Sequence, residues 1–103
     1  MIRHILSGFV RVHILYHASR ERVYGAELME ELKRHGYRLS PGTVYPILHQ
    51  MESSGWLAST KENIDGRRRI YYRITNVGEE MLQASRTMLE ELVREVLPGG
   101  DRP

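Results

Sequence analysis

Apolar residues recur at helical spacing from Ile2 to Ala18, where Ile2, Ile5, Leu6, Phe9, Val10, His13, Ile14 and the Tyr16/His17 pair form a broad face. That spacing predicts an amphipathic helix rather than a strand, and the breadth of the face predicts cover on more than one side. The same period returns from about Gly25 to His35, with Leu28, Met29 and Leu32 inward and Glu27, Glu30, Glu31, Lys33 and Arg34 outward. Gly36 follows and predicts the stop, because glycine accepts the left-handed conformation that ends many helices. A third helix is predicted from Ser40-Pro41, a capping serine followed by a proline at the one helical position where a missing N–H loses nothing. Val44, Leu48 and Met51 share one face of it. Pro46 lies inside it and crowds the carbonyl of Gly42, at about 3 kcal/mol for an interior proline. A plain kink is one reading; a shape kept for function is the preferred one.

After Gly55 the period changes from 3.6 to 2. Trp56 to Ile64 and Arg67 to Ile74 alternate as strands around Asp65-Gly66, a strong two-residue hairpin signal. Ile70, Tyr72 and Ile74 are expected on one face, with Arg69, Tyr71 and Arg73 on the other. Trp56, at the start of the first strand, reads as a packing residue rather than a ligand-stacking one. Thr75 then caps a last helix reaching about Leu97, with Val77, Met81, Met88, Leu89, Leu92, Val93 and Val96 as its apolar stripe. The expected fold is mainly α with a two-stranded β-wing: a winged helix-turn-helix over residues 1–75, a dimerisation helix over 76–97, and a flexible tail over 98–103. The tail reads Pro-Gly-Gly-Asp-Arg-Pro, which cannot continue a helix.

Length and composition narrow the classes. A chain of 103 residues with 41% hydrophobic and 27% charged residues is expected to form one ordinary globular domain. No apolar run approaches a membrane span, and Met1 to Val10 does not resemble a signal peptide, so a cytoplasmic location is expected. The absence of cysteine excludes disulfides, thiolate zinc sites and a cysteine nucleophile. Net charge is only +2, but it is unevenly placed. Lys61, Arg67, Arg68, Arg69 and Arg73 outnumber Glu62 and Asp65, whereas Glu79, Glu80, Glu90, Glu91 and Glu95 outnumber Arg86 and Arg94. One part of the molecule is suited to phosphate and another is not.

Two short helices joined by a tight connection from Gly36 to Leu39 and followed by a basic hairpin make the winged helix-turn-helix plan, in which the second of the pair enters the major groove. The side opposite Val44, Leu48 and Met51 presents Ser40, Thr43, Tyr45, His49 and Gln50, hydrogen-bonding types with few carboxylates to repel phosphate. With Pro46 they form the expected DNA-reading surface. Lys61, Arg67, Arg68, Arg69 and Tyr71 of the hairpin add backbone or minor-groove contact. The last-helix stripe, together with Ile5 and Phe9, is too wide for this small domain to cover and predicts a homodimer interface.

The runs Ser40-Pro41-Gly42-Thr43-Val44-Tyr45-Pro46-Ile47-Leu48, Gly55-Trp56-Leu57 and Gly66-Arg67-Arg68-Arg69-Ile70-Tyr71-Tyr72-Arg73-Ile74-Thr75, with Gly78, resemble the PadR family of transcriptional regulators. Tyr24-Gly25-Ala26-Glu27-Leu28 matches the family's Gly-Tyr-Glu-Leu motif at the start of the second helix, except that the tyrosine precedes the glycine. The resemblance spans roughly Ile5 to Leu97. It implies a dimeric repressor whose hold on a double-stranded DNA operator is relieved by a ligand. It also implies the short subfamily, since one helix follows the wing. A small hydrophobic or aromatic effector near the dimer interface would then meet Phe9, His13, Met81 and Met88, although each of these taken alone reads more simply as core. The last helix has no tryptophan, the residue on which one branch of the family stacks drugs.

His13 and His17 are spaced i, i+4 on one helix face, as metal ligands can be, but no acidic third ligand lies on that helix and no cysteine exists. Neither a metal site nor any cofactor is therefore expected. An enzyme is not expected either, for want of a phosphate loop, a nucleophile elbow or paired carboxylates off the exposed helix faces. The main alternative is a winged helix that binds RNA or protein without operator specificity.

Overall fold

The structure, a computed structural model, describes residues 2–99. Its elements run α1 (Ile2–Arg20), β1 (Val23–Tyr24), α2 (Gly25–Arg34), α3 (Pro41–Ser53), β2 (Leu57–Ile64), β3 (Arg67–Ile74) and α4 (Asn76–Val96). The three helices, hairpin and last helix expected from periodicity are all present. Of the expected tail, residues 100–103 lie outside the described residues.

The wing differs from expectation by one strand. Val23 and Tyr24 pair antiparallel with Tyr72 and Tyr71, so the sheet has three strands in the order β1-β3-β2. Two residues are too short for alternation to be visible in sequence; they become a strand because β3 offers them a free edge. Between β2 and β3 the register runs from Leu57 opposite Ile74 to Ile64 opposite Arg67. Asp65 and Gly66 both take positive φ, 51° and 76°. A two-residue turn needs that conformation to follow the twist of the flanking strands.

The core draws on nearly every element. Val10, Ile14, Leu15 and Ala18 of α1 meet Leu28 and Leu32 of α2, Val44, Leu48 and Met51 of α3, and Val23, Leu57 and Tyr72 of the sheet. From α4 only Leu82 joins them fully, with Met81 partly buried beside it. Leu82 lay outside the stripe expected on that helix. Beyond it, every residue from Arg86 to Val96 is exposed except half-buried Leu89. The C-terminal part of α4 is thus a helix with one apolar face and little of its own chain to cover it.

One junction ties the wing, α3 and α4 together. The Thr75 hydroxyl donates to the Gly55 carbonyl and accepts from the Gly78 N–H at 3.0 Å, and the Thr75 N–H donates to the Trp56 carbonyl at 3.0 Å. A single threonine caps α4 and anchors the end of the α3 turn. Trp56 is half-buried against the core, as the packing reading expected.

Candidate nucleic-acid interface

The α3 surface forms as the periodicity predicted. Val44, Leu48 and Met51 are buried, and Ser40, Thr43, Tyr45, Pro46, His49 and Gln50 are exposed on the outer side. Three details were not visible in the sequence. Ser40 is the N-cap of α3, but its hydroxyl makes no capping bond to the backbone. It lies 3.3 Å from the Thr43 hydroxyl instead, so two of the expected reading groups hold each other at the start of the helix. The Tyr45 ring lies across Gly25, where an added Cβ would come within 2.5 Å of Cε1. The bare backbone at the start of α2 is therefore the seat of the tyrosine. The Gln50 Oε1 accepts from Arg11 of α1, which also bonds Ser7. Arg11 is a candidate that sequence reasoning missed, because 39 residues separate it from its partner.

The wing divides its cations between two faces. Directly opposed residues share a face in an antiparallel pair. Arg68 therefore lies with Asn63, Ile70, Lys61, Ser59 and Tyr72, and Arg67, Arg69 and Arg73 lie with Ile64, Glu62, Thr60 and Tyr71. The Ser59 hydroxyl donates to Glu52 of α3, so the first of these faces is the one turned toward the reading helix. Burial, with Glu52 and Tyr45 nearby, pushes the Tyr72 hydroxyl above its usual pKa and keeps it protonated beneath that face.

The opposite face is already occupied. Arg22 pairs with Glu62 and stacks over the Tyr71 ring at 3.9 Å, and Arg69 stacks over Tyr24 at 4.5 Å. Tyr24 and Tyr71 meet edge to face at 5.5 Å. Tyr71, expected to contact DNA, is only 8% exposed, a correction that follows from the unforeseen β1 laying Tyr24 and Arg22 over it. Arg69 is half-buried, while Lys61, Arg67 and Arg68 remain exposed.

On the other side of the molecule, α1 and α4 enclose an open groove of about 1010 Å³ lined by Ile5, Phe9, Val12, Met88, Leu92 and Val96 among others. Of the expected interface residues, Ile5, Phe9, Val77, Met88, Leu92, Val93 and Val96 are exposed, and Met81 and Leu89 are half-buried. The expected effector set splits. Phe9 and Met88 line the groove, Met81 packs against the core, and His13 faces His35 and Tyr37, with ring centroids 4.7 and 5.2 Å away. His13 and His17 do acquire a third imidazole, but from the end of α2, where no single-helix pattern could reveal it.

Residues 14–84 match the transcriptional regulator PadR-like family. The chain belongs to that family. It is 51% identical over 98 residues to the transcriptional regulator Rv3488 of Mycobacterium tuberculosis, covering 95% of this chain and 92% of the relative. Among solved structures, a PadR family regulator from Eggerthella lenta superposes with a TM-score of 0.78 at 32% identity, covering 93% of this chain and 81% of its own. A PadR-like regulator from Bacillus cereus gives 0.71 at 35% identity, covering 96% and 97%. The helices and three-stranded sheet described above are thus a PadR winged helix, and the chain is a transcriptional regulator. Among the described residues no helix is long and apolar enough to cross a membrane.

Proposed function

We propose that this PadR regulator is a repressor rather than an enzyme, binding an inverted-repeat operator in double-stranded DNA as a cytoplasmic homodimer. The observation that carries the reading is the alignment of two surfaces: the exposed, hydrogen-bonding side of α3 and the wing face bearing Lys61 and Arg68 lie on the same side of the sheet. A helix can present base-reading groups in a major groove while a basic hairpin grips phosphate beside it. Arg67 extends the grip at the tip, and Arg69 contributes less because its guanidinium is engaged with Tyr24.

The expected result is a division of labour. Lys61→Ala with Arg68→Ala should weaken specific and non-specific duplex alike and flatten the salt slope by roughly two units, one per lost phosphate contact. Gln50→Ala should relax base preference by about 1–3 kcal/mol at one position and leave the slope nearly unchanged. Footprinting on sequences selected from a random duplex pool should recover half-sites about one helical turn apart, or a multiple of that. Single-stranded RNA binding as tightly as the selected duplex would favour the RNA-binding alternative and overturn the operator reading.

A flat hydrophobic or aromatic effector would bind where the α1/α4 groove borders the dimer seam, with Phe9 and Met88 as its apolar contacts. Phenolic acids and cationic dyes are the probes. At least one class should raise the melting temperature and lower duplex affinity, with both effects lost in Phe9→Ala/Met88→Ala. If neither class shifts the melt, the chain lacks this mode of control.

A further inference from the structure

We propose that His13, His17 and His35 form a three-imidazole site for a borderline divalent metal of the zinc class, joining α1 to the end of α2. This site is separate from both the DNA-reading surface and the α1/α4 groove, and it stands whether or not the operator reading does.

The geometry supplies the argument. Each histidine offers one ring nitrogen, and the three nitrogens lie within 4.8 Å of one another. In a tetrahedral zinc site with Zn–N bonds near 2.0–2.1 Å, neighbouring nitrogens stand about 3.3 Å apart. Closure therefore needs movements of about an ångström or so. His35 is exposed and ends α2 as its C-cap residue, so it can make them by side-chain rotation. The other two are set by the backbone, one helical turn apart on α1.

A second observation points the same way. The His17 Nε2 is buried and has no hydrogen-bond partner in the protein. Buried polar atoms are nearly always bonded, so this nitrogen, on one of the three clustered rings, calls for a partner that the protein itself does not supply. The half-dipole at the C-terminus of α2 is negative and favours a cation beside His35.

The donor set chooses the ion. Three neutral nitrogens without thiolate or carboxylate suit zinc, cobalt, nickel or copper and offer nothing to magnesium or calcium, which require oxygen. Three protein ligands leave a fourth position for water, the arrangement of an exchangeable site rather than a closed structural one. Its occupancy would fix the spacing of α1 and α2 immediately before the connection into α3. Arg11, just before His13 on the same helix, already reaches Gln50 on α3. A metal at this seam would therefore act on the placement of the reading helix.

The test uses the full-length chain stripped of metal. Titration calorimetry with Zn²⁺ should show one ion per chain at micromolar affinity or tighter, and Co²⁺ should give the intense visible bands of tetrahedral nitrogen coordination. Excess Mg²⁺ should not compete. His35→Asn, at an exposed position, should keep the wild-type circular dichroism and melting temperature without metal, yet lose more than about tenfold in affinity. Loss of an outer-shell partner alone commonly weakens a site by that much. His13→Asn should do the same. Wild-type affinity in both variants, or the absence of tetrahedral cobalt bands, would overturn the site.

Discussion

Leu92→Asp should turn the protein into a folded monomer with greatly reduced affinity for its operator. Leu92 is 52% exposed in the protomer and lines the α1/α4 groove with Met88, which is 72% exposed, and Val96 at 64%. The groove and the uncovered part of α4 are continuous, and an uncovered apolar patch of this kind is what the proposed two-fold dimer would bury. Each substitution appears twice in such a dimer, placing two carboxylates in an apolar seam already flanked by Glu91 and Glu95. At no less than about 2 kcal/mol for each unpaired polar group, dissociation should strengthen by roughly a thousandfold or more. The protomer itself should survive, since among the described residues of α4 the core takes Gly78 and Leu82, both distant from position 92. Sedimentation velocity and circular dichroism read the two effects separately. A dimer of wild-type stability would rule out this face as the interface.

Gly78→Ala should destabilise the fold by about 2–3 kcal/mol, although glycine-to-alanine in a helix ordinarily stabilises by close to 1 kcal/mol. An alanine Cβ would lie 2.2 Å from the Trp56 carbonyl oxygen and 2.6 Å from Ile74 Cγ1. The carbonyl cannot retreat freely, because it accepts the Thr75 N–H. Relief must come from shifting α4 off the sheet, which also stretches the Gly78 N–H bond to the Thr75 hydroxyl. For a domain of this size the melting temperature should fall by roughly 10 °C. Thermal unfolding checks it, and an unchanged or raised melting temperature would mean that α4 can move without loss. The resemblance in sequence marks Gly78 as part of a motif; the close approach of two backbones gives the physical reason for it.

What the sequence determined by itself is whatever depends on near neighbours along the chain. Helical period, the Ser40-Pro41 start, the Asp65-Gly66 turn and the Thr75 cap are written within a few residues each, so the order of elements and the faces of α3 could be read directly. The surplus of apolar positions on α1 and α4 was likewise legible as a count, though not which of them the domain would cover for itself. Leu82 went in and Met88 stayed out because of where α4 crosses the sheet, and that crossing is set by Gly78 against Trp56.

Contacts between distant segments were decided only by the tertiary structure. Val23-Tyr24 is a strand because β3 has an open edge, and the same pairing buries Tyr71 and occupies Arg69 and Arg22. Strand alternation in the sequence already separates Arg68 from Arg67 and Arg69, but only the Ser59 bond to Glu52 shows that the face bearing Arg68 is the one turned toward α3. Arg11 reaches Gln50, Tyr45 rests on Gly25, and His35 joins His13 and His17 only once the helices have packed. In each case the partners are far apart in the chain, and the apolar core that brings them together is assembled from all of its elements at once.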